Sequence, residues 1–181
     1  QQSFLSFYTG SEVTYELPLI IDDNAFSDFN FTGSLYFPTG VGAIGSKSFY
    51  GCDKFAGDLI MDDVFVIGDQ AFENCSGFDG ELELYSGVSA IGSRAFFNCD
   101  FSSIKESEYG ALEIIGDQAF SNLNQITGSI ILPNISYIGA RAFEGCSNLD
   151  GDLDLGGVLG NIGFNAFYGC DFKTLKIGNN F

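Results

Sequence analysis

Apolar and polar residues follow one phrase that returns seven times along this chain. It reads Ile44-Gly45-Ser46-Lys47-Ser48-Phe49, Ile67-Gly68-Asp69-Gln70-Ala71-Phe72 and Ile91-Gly92-Ser93-Arg94-Ala95-Phe96. It continues as Ile115-Gly116-Asp117-Gln118-Ala119-Phe120, Ile138-Gly139-Ala140-Arg141-Ala142-Phe143 and Ile162-Gly163-Phe164-Asn165-Ala166-Phe167, after a weaker first copy from Ile21 to Phe26. The Ile-to-Ile steps are 23, 23, 24, 24, 23 and 24 residues. So constant a period predicts a solenoid, in which each unit buries its apolar face only against its neighbours.

The second half of each unit predicts a short strand, because apolar residues alternate with polar ones after a glycine. Gly33-Ser34-Leu35-Tyr36-Phe37, Gly57-Asp58-Leu59-Ile60-Met61 and Gly80-Glu81-Leu82-Glu83-Leu84 are examples, repeated around Ile130, Leu153 and Leu175. The Ile-Gly phrase predicts a strand end entering a short helical turn, with Ser46, Asp69, Ser93 and Asp117 at N-cap positions. Phe72 and Cys75 then stand at i and i+3 on one inward face, as do Phe49/Cys52, Phe96/Cys99, Phe143/Cys146 and Phe167/Cys170. Stacked copies align seven Phe into a ladder. The architecture expected is β-rich, with about seven units of a short parallel strand and a short helical turn. Residues 1–14 read as an N-terminal cap or assembly segment, and residues 15–181 as the solenoid of a single overall domain.

Composition narrows the function. The 24 acidic against 7 basic residues give a net charge of −17, yet 45% of the chain is hydrophobic, so this is no disordered acidic tail. The negative field repels nucleic-acid phosphates and anionic lipid surfaces. There is no His, which removes the commonest general base and metal ligand together. No apolar run approaches a membrane span of roughly 20 residues. No signal peptide is visible, and a start at Gln1 suggests a processed or excised segment.

Ile-Gly-x-x-Ala-Phe-x-x-Cys-x-x-Leu followed by a short Leu-x-Leu(-Pro) strand resembles the BspA-like leucine-rich-repeat family, over roughly Tyr15 to Ile177. The resemblance implies a curved, right-handed leucine-rich-repeat solenoid with a parallel sheet on its concave side. It also implies a secreted or cell-surface protein associated with adhesion and host-protein binding, and it carries over no catalytic residue. The chain departs from the pattern at Phe29 and Leu123, which replace the ladder Cys, and at Glu106, an acid in an apolar strand position. Glu106 makes its rung the least regular and breaks the expectation of a continuous sheet there.

Cys52, Cys75, Cys99, Cys146 and Cys170 share one repeat position and are odd in number. Buried free thiols acting as small apolar rungs fit this best, with a vertical disulfide between rungs such as Cys52 and Cys75 as the alternative. Without CxxC or His, zinc does not fit. No cofactor is expected. Asp150, Asp152 and Asp154, like Asp79, Glu81 and Glu83, alternate on one strand face, which suits calcium or simply solvated carboxylates. Asp58 and Glu81 stack in one column. Asn30, Asn74 and Asn134 begin N-glycosylation sequons if the protein is secreted by a eukaryote.

Two functions follow. The first is a non-catalytic extracellular interaction module binding protein partners through the concave column Tyr36, Ile60, Glu83, Lys105, Ile131, Asp154 and Lys176. The second is a head-to-tail fibre subunit, contacting through Phe4, Leu5 and Phe7 at one end and Leu175, Ile177 and Phe181 at the other, where no polar cap is apparent.

Overall fold

The computed structural model describes residues 6–9, 12–15, 18–85, 87–106, 110–156 and 160–178. Its strands are β1 (Ser6–Thr9), β2 (Glu12–Tyr15), β3 (Leu19–Ile21), β4 (Val41–Ile44), β5 (Leu59–Met61), β6 (Val66–Ile67), β7 (Glu81–Leu84) and β8 (Ala90–Ile91). They continue as β9 (Ser103–Glu106), β10 (Ile114–Ile115), β11 (Ile130–Ile131), β12 (Tyr137–Ile138), β13 (Asp152–Leu155), β14 (Asn161–Ile162) and β15 (Thr174–Ile177). β1 and β2 form an antiparallel hairpin that contains the 14/15 boundary, and the parallel solenoid strands begin with β3.

Each coil carries two strand positions, and the continuous sheet is the one built by the Ile-Gly phrase. Seven parallel strands run in the order β14-β12-β10-β8-β6-β4-β3. The Leu-x-Leu strands form two separate sheets, β5-β7-β9 and β11-β13-β15. The break falls after β9, the Glu106 rung.

The helical turn is not borne out, since no helix occurs among the described residues. Lys47, Gln70, Arg94, Gln118, Arg141 and Asn165 adopt positive φ of 56–58° at the fourth position of the phrase, as does Asn24 at 57°. A left-handed residue stops a right-handed helix at its second residue. The backbone instead makes linked turns. Ala71 donates to Gly68, Glu73 to Gln70 and Cys75 to Phe72, closing three turns locally. The intervening N–H groups of Gln70, Phe72 and Asn74 donate to Ser93, Ala95 and Phe97 of the next coil. Half the donors thus hold the turn and half hold the stack.

Of the expected N-caps, Asp69 and Asp117 act between coils, as does Asp23, while Ser46 and Ser93 take part only through their backbone N–H groups. Asp23, Asp69 and Asp117 accept the N–H of Ser46, Ser93 and Ala140, one coil ahead, at 2.6–2.7 Å. The Gly of the phrase has φ outside the left-handed range and serves close approach. A Cβ on Gly92 would stand 2.6 Å from the Asp69 backbone nitrogen, and one on Gly116 2.5 Å from that of Ser93.

The interior is two aromatic stacks side by side. Phe26, Phe49, Phe72, Phe96, Phe120, Phe143 and Phe167 stack with centroids 4.9–5.5 Å apart, as the period predicts. A second stack, absent from the sequence reading, joins Phe31, Phe55, Phe78 and Phe101 at 5.3–5.6 Å. Edge contacts such as Phe72–Phe78 and Phe96–Phe101 lock the two together.

One predicted strand is missing. Gly33–Phe37 contributes only the bridge Gly33–Phe55 and then diverges. Leu35 and Phe37 have one neighbouring coil to pack on, so they stay partly buried above an apolar groove shared with Ile20, Phe26 and Phe49.

Candidate interaction surface

The Leu-x-Leu strands point Leu59, Met61, Leu82, Leu84, Leu153 and Leu155 inward, leaving the alternate residues outside. Register places Ile60 beside Glu83 and Glu83 beside Lys105. It likewise places Ile131 beside Asp154 and Asp154 beside Lys176. The expected seven-residue column is therefore two triplets on two sheets. Tyr36, 79% exposed, lies outside any strand and beyond both.

These triplets are electrostatically organised. Lys105 bridges Glu81, with Glu83 3.9 Å away, and Tyr85 donates its hydroxyl to Glu83 at 2.5 Å. The hydrogen bond to Glu81 raises the Lys105 pKa above its ordinary value. On the second sheet Lys176 donates to Asp154 at 2.8 Å, Thr174 to Asp152 at 2.7 Å, and Lys173 meets Asp150 at 3.3 Å. The Lys173 contact lowers the Asp150 pKa. Of the acidic runs that suggested calcium, all but Asp79 lie against lysines or a threonine of the following rung, and Asp79 accepts the Gly57 N–H. Among the described residues no group of three or more Asp, Glu or Cys is placed to hold a metal ion. Asp58 does not merely face Glu81: it accepts the Glu81 N–H at 2.8 Å.

The five cysteines are free thiols. Cys52, Cys75, Cys99 and Cys146 are buried, and each of the five donates to the carbonyl of a Phe in the preceding coil at 3.0–3.2 Å. Burial pushes the Cys75 and Cys99 thiols well up.

Asn30 is exposed and accepts from Lys54 at 2.7 Å. Asn74 is half-buried, holds a left-handed turn at φ 63° and accepts from Asn98 at 3.1 Å. Asn134 is exposed and donates to the Gly110 carbonyl. Of the expected assembly residues, Leu175 and Ile177 are 62% and 55% exposed on β15. The Phe7 side chain and the residues Phe4, Leu5 and Phe181 lie outside the described residues.

The family model described as BspA type leucine rich repeat region matches in six copies, over residues 19–79 and 44–173. The chain belongs to the BspA-type leucine-rich-repeat family. Three solved structures share this fold. A leucine-rich repeat protein from Bacteroides ovatus is 26% identical over 84% of this chain and 38% of its own, with a TM-score of 0.66. The leucine-rich repeat protein of T. pallidum is 22% identical over 97% of this chain and 82% of its own, TM-score 0.69. A leucine-rich cell surface protein from Faecalibacterium prausnitzii is 19% identical over 82% and 45%, TM-score 0.51. This BspA-type chain spans little more than a third of the Bacteroides protein's length. No curated protein matches it.

Sequence reasoning missed a second outward column, on the continuous sheet. Its signal was the residue before each phrase Ile, which is Ile20, Ala43, Val66, Ala90, Ile114 or Tyr137 in six of seven units. Among the described residues no helix is long and apolar enough to cross a membrane.

Proposed function

We propose that this BspA-type solenoid is a non-catalytic interaction module of a secreted or cell-surface protein, binding a protein partner through side chains of its Leu-x-Leu sheets. The observation that carries this reading is the pair of outward triplets Ile60–Glu83–Lys105 and Ile131–Asp154–Lys176, mixed in chemistry on an otherwise repetitive scaffold. The name of the F. prausnitzii relative supports the surface location.

The test is biolayer interferometry of the immobilised chain against a panel of secreted and surface proteins, with Lys105→Ala and Lys176→Ala alongside. A partner whose affinity falls about tenfold in one variant supports the reading, a loss within reach of one charged contact. A panel that leaves the chain unbound counts against it. Hydrolase activity abolished at a single carboxylate would overturn its non-catalytic part.

A second reading is a head-to-tail structural subunit. It is favoured by Leu175 and Ile177, exposed on β15, which among the described residues pairs with β13 alone. Filaments in negative stain that vanish when residues 1–14 are removed would support it, and a stable monomer by size exclusion would sink it.

A further inference from the structure

The continuous sheet has an apolar outer face that the core does not need. Register sets Ile20 beside Ala43, Ala43 beside Val66, Val66 beside Ala90, Ala90 beside Ile114, and Ile114 beside Tyr137. Their successors, from Ile44 to Ile138, fill the inside and are buried. The outward residues are left in solvent: Ile20 is 59% exposed, Val66 45% and Ile114 44%. Phe65, also exposed, widens the stripe. The column closes with Asn161, so seven rungs at the inter-strand spacing make it roughly 29 Å long, with no charged residue. An exposed apolar strip of this extent on a soluble fold marks a contact surface.

Its margins are predominantly acidic. Asp23, Asp69 and Asp117 lie on the corner that follows the strands, all exposed. Asp62 and Asp63 lie on the approach to β6, and Glu113 immediately precedes Ile114. Of the seven basic residues three stand on that same corner, one position beyond the aspartates, and all seven are engaged by other groups. Lys47, Arg94 and Arg141 lie over the rings of Tyr50, Phe97 and Phe164. Lys105, Lys173 and Lys176 pair with acids of the Leu-x-Leu side, and Lys54 donates to Asn30.

We infer that this stripe docks a basic amphipathic protein segment, its apolar side laid along Ile20–Tyr137 and its Lys or Arg side chains reaching the flanking carboxylates. Charge complementarity selects this occupant. A second copy placed face to face would set aspartates against aspartates, and an anionic lipid surface would be repelled by the same rows. The inference rests on the protein-binding reading above but assigns the contact to the other strand set.

The test uses the full chain and two labelled helical peptides of about 18 residues, long enough to cover about 27 Å. One is Leu/Lys amphipathic, the other its Leu/Glu counterpart, and fluorescence anisotropy reads binding. The Leu/Lys peptide is expected to bind and to weaken at high salt, while the Leu/Glu peptide does not bind. Val66→Ser and Ile114→Ser each weaken binding about tenfold without lowering the circular-dichroism melting point, since each removes exposed apolar area. Ile131→Ser leaves binding unchanged. Equal binding of the acidic peptide overturns the inference, as does a chain dimer that Val66→Ser abolishes. Binding lost only in Ile131→Ser also overturns it, but leaves the module reading standing. Failure of both peptides together with an unbound protein panel removes that reading as well.

Discussion

The Cys99 thiol donates to the Phe72 carbonyl at 3.1 Å, across two successive coils. The same carbonyl accepts the Cys75 N–H at 3.1 Å, closing its own turn. One oxygen therefore serves the turn and the stack, and the thiol is a structural donor rather than a disulfide half or a ligand. Burial raises the pKa of Cys75 and Cys99, so little thiolate forms at either residue at neutral pH. In native conditions Cys75 and Cys99 should resist iodoacetamide, with all five thiols reacting in denaturant. Reductant should leave the melting temperature unchanged. Rapid native labelling of Cys99, read by peptide mass mapping, would contradict this arrangement.

Ser48 interrupts the column occupied elsewhere by Ala71, Ala95, Ala119, Ala142 and Ala166, and its Oγ is buried without a hydrogen-bond partner. A buried unpaired hydroxyl costs about 1–3 kcal/mol. Ser48→Ala should raise stability by about 1 kcal/mol in urea titration. A drop in the midpoint would show that the hydroxyl has a partner.

Gly92 leaves no room for a methyl group, since its Cβ would meet both the backbone nitrogen and Oδ1 of Asp69 at 2.6 Å. Gly92→Ala must push two coils apart, and overpacking of this kind costs about 1–3 kcal/mol. The expected result is a lower urea midpoint of that size. An unchanged midpoint would mean that the coils separate freely.

Glu73 is buried and takes two hydrogen bonds from Arg94, at 2.6 and 3.0 Å, and one from Gln70 at 2.7 Å. Burial pushes its pKa up, but the bonds from Arg94 and Gln70 outweigh this and hold it below its ordinary value. A carboxyl that binds its proton less readily when folded adds stability above its unfolded pKa, about 4.3. That contribution is lost as the pH falls through the lower folded value. Glu73→Gln should cost about 2 kcal/mol at neutral pH, the scale of hydrogen bonds to a charged group. The penalty should shrink in acid. Equal penalties at neutral and strongly acidic pH would contradict the assignment.

How far the sequence could be read depended on where each signal lay. The Phe26-to-Phe167 ladder was legible because its members share one position of the repeat. The Phe31-to-Phe101 ladder was not, since it lies in the variable connector and runs for only four rungs before Ile126 and Leu149 take over. The break after Glu106 was legible from one misplaced acid. The apolar stripe was overlooked because a single residue before each Ile carries no alternation of its own.

The left-handed residues show where local rules fail. Lys47, Gln70 and Arg94 are good helix formers, so their sequence argues for a helical turn. The second left-handed column had a signal: Asp28, Asn74, Asn98 and Asn122 alternate there with Gly51, Gly145 and Gly169, residues that tolerate positive φ.

By itself the sequence determined the period, the Phe26-to-Phe167 ladder, the shared cysteine column and the family, because each is a property of one unit repeated. The tertiary structure alone decided which strand set forms the unbroken sheet, that the corner is a chain of turns, and which outward column stays apolar and unpaired in solvent. Those outcomes rest on hydrogen bonds between coils, such as Phe72 to Ala95. A donor committed to the next coil cannot also close a helix within its own.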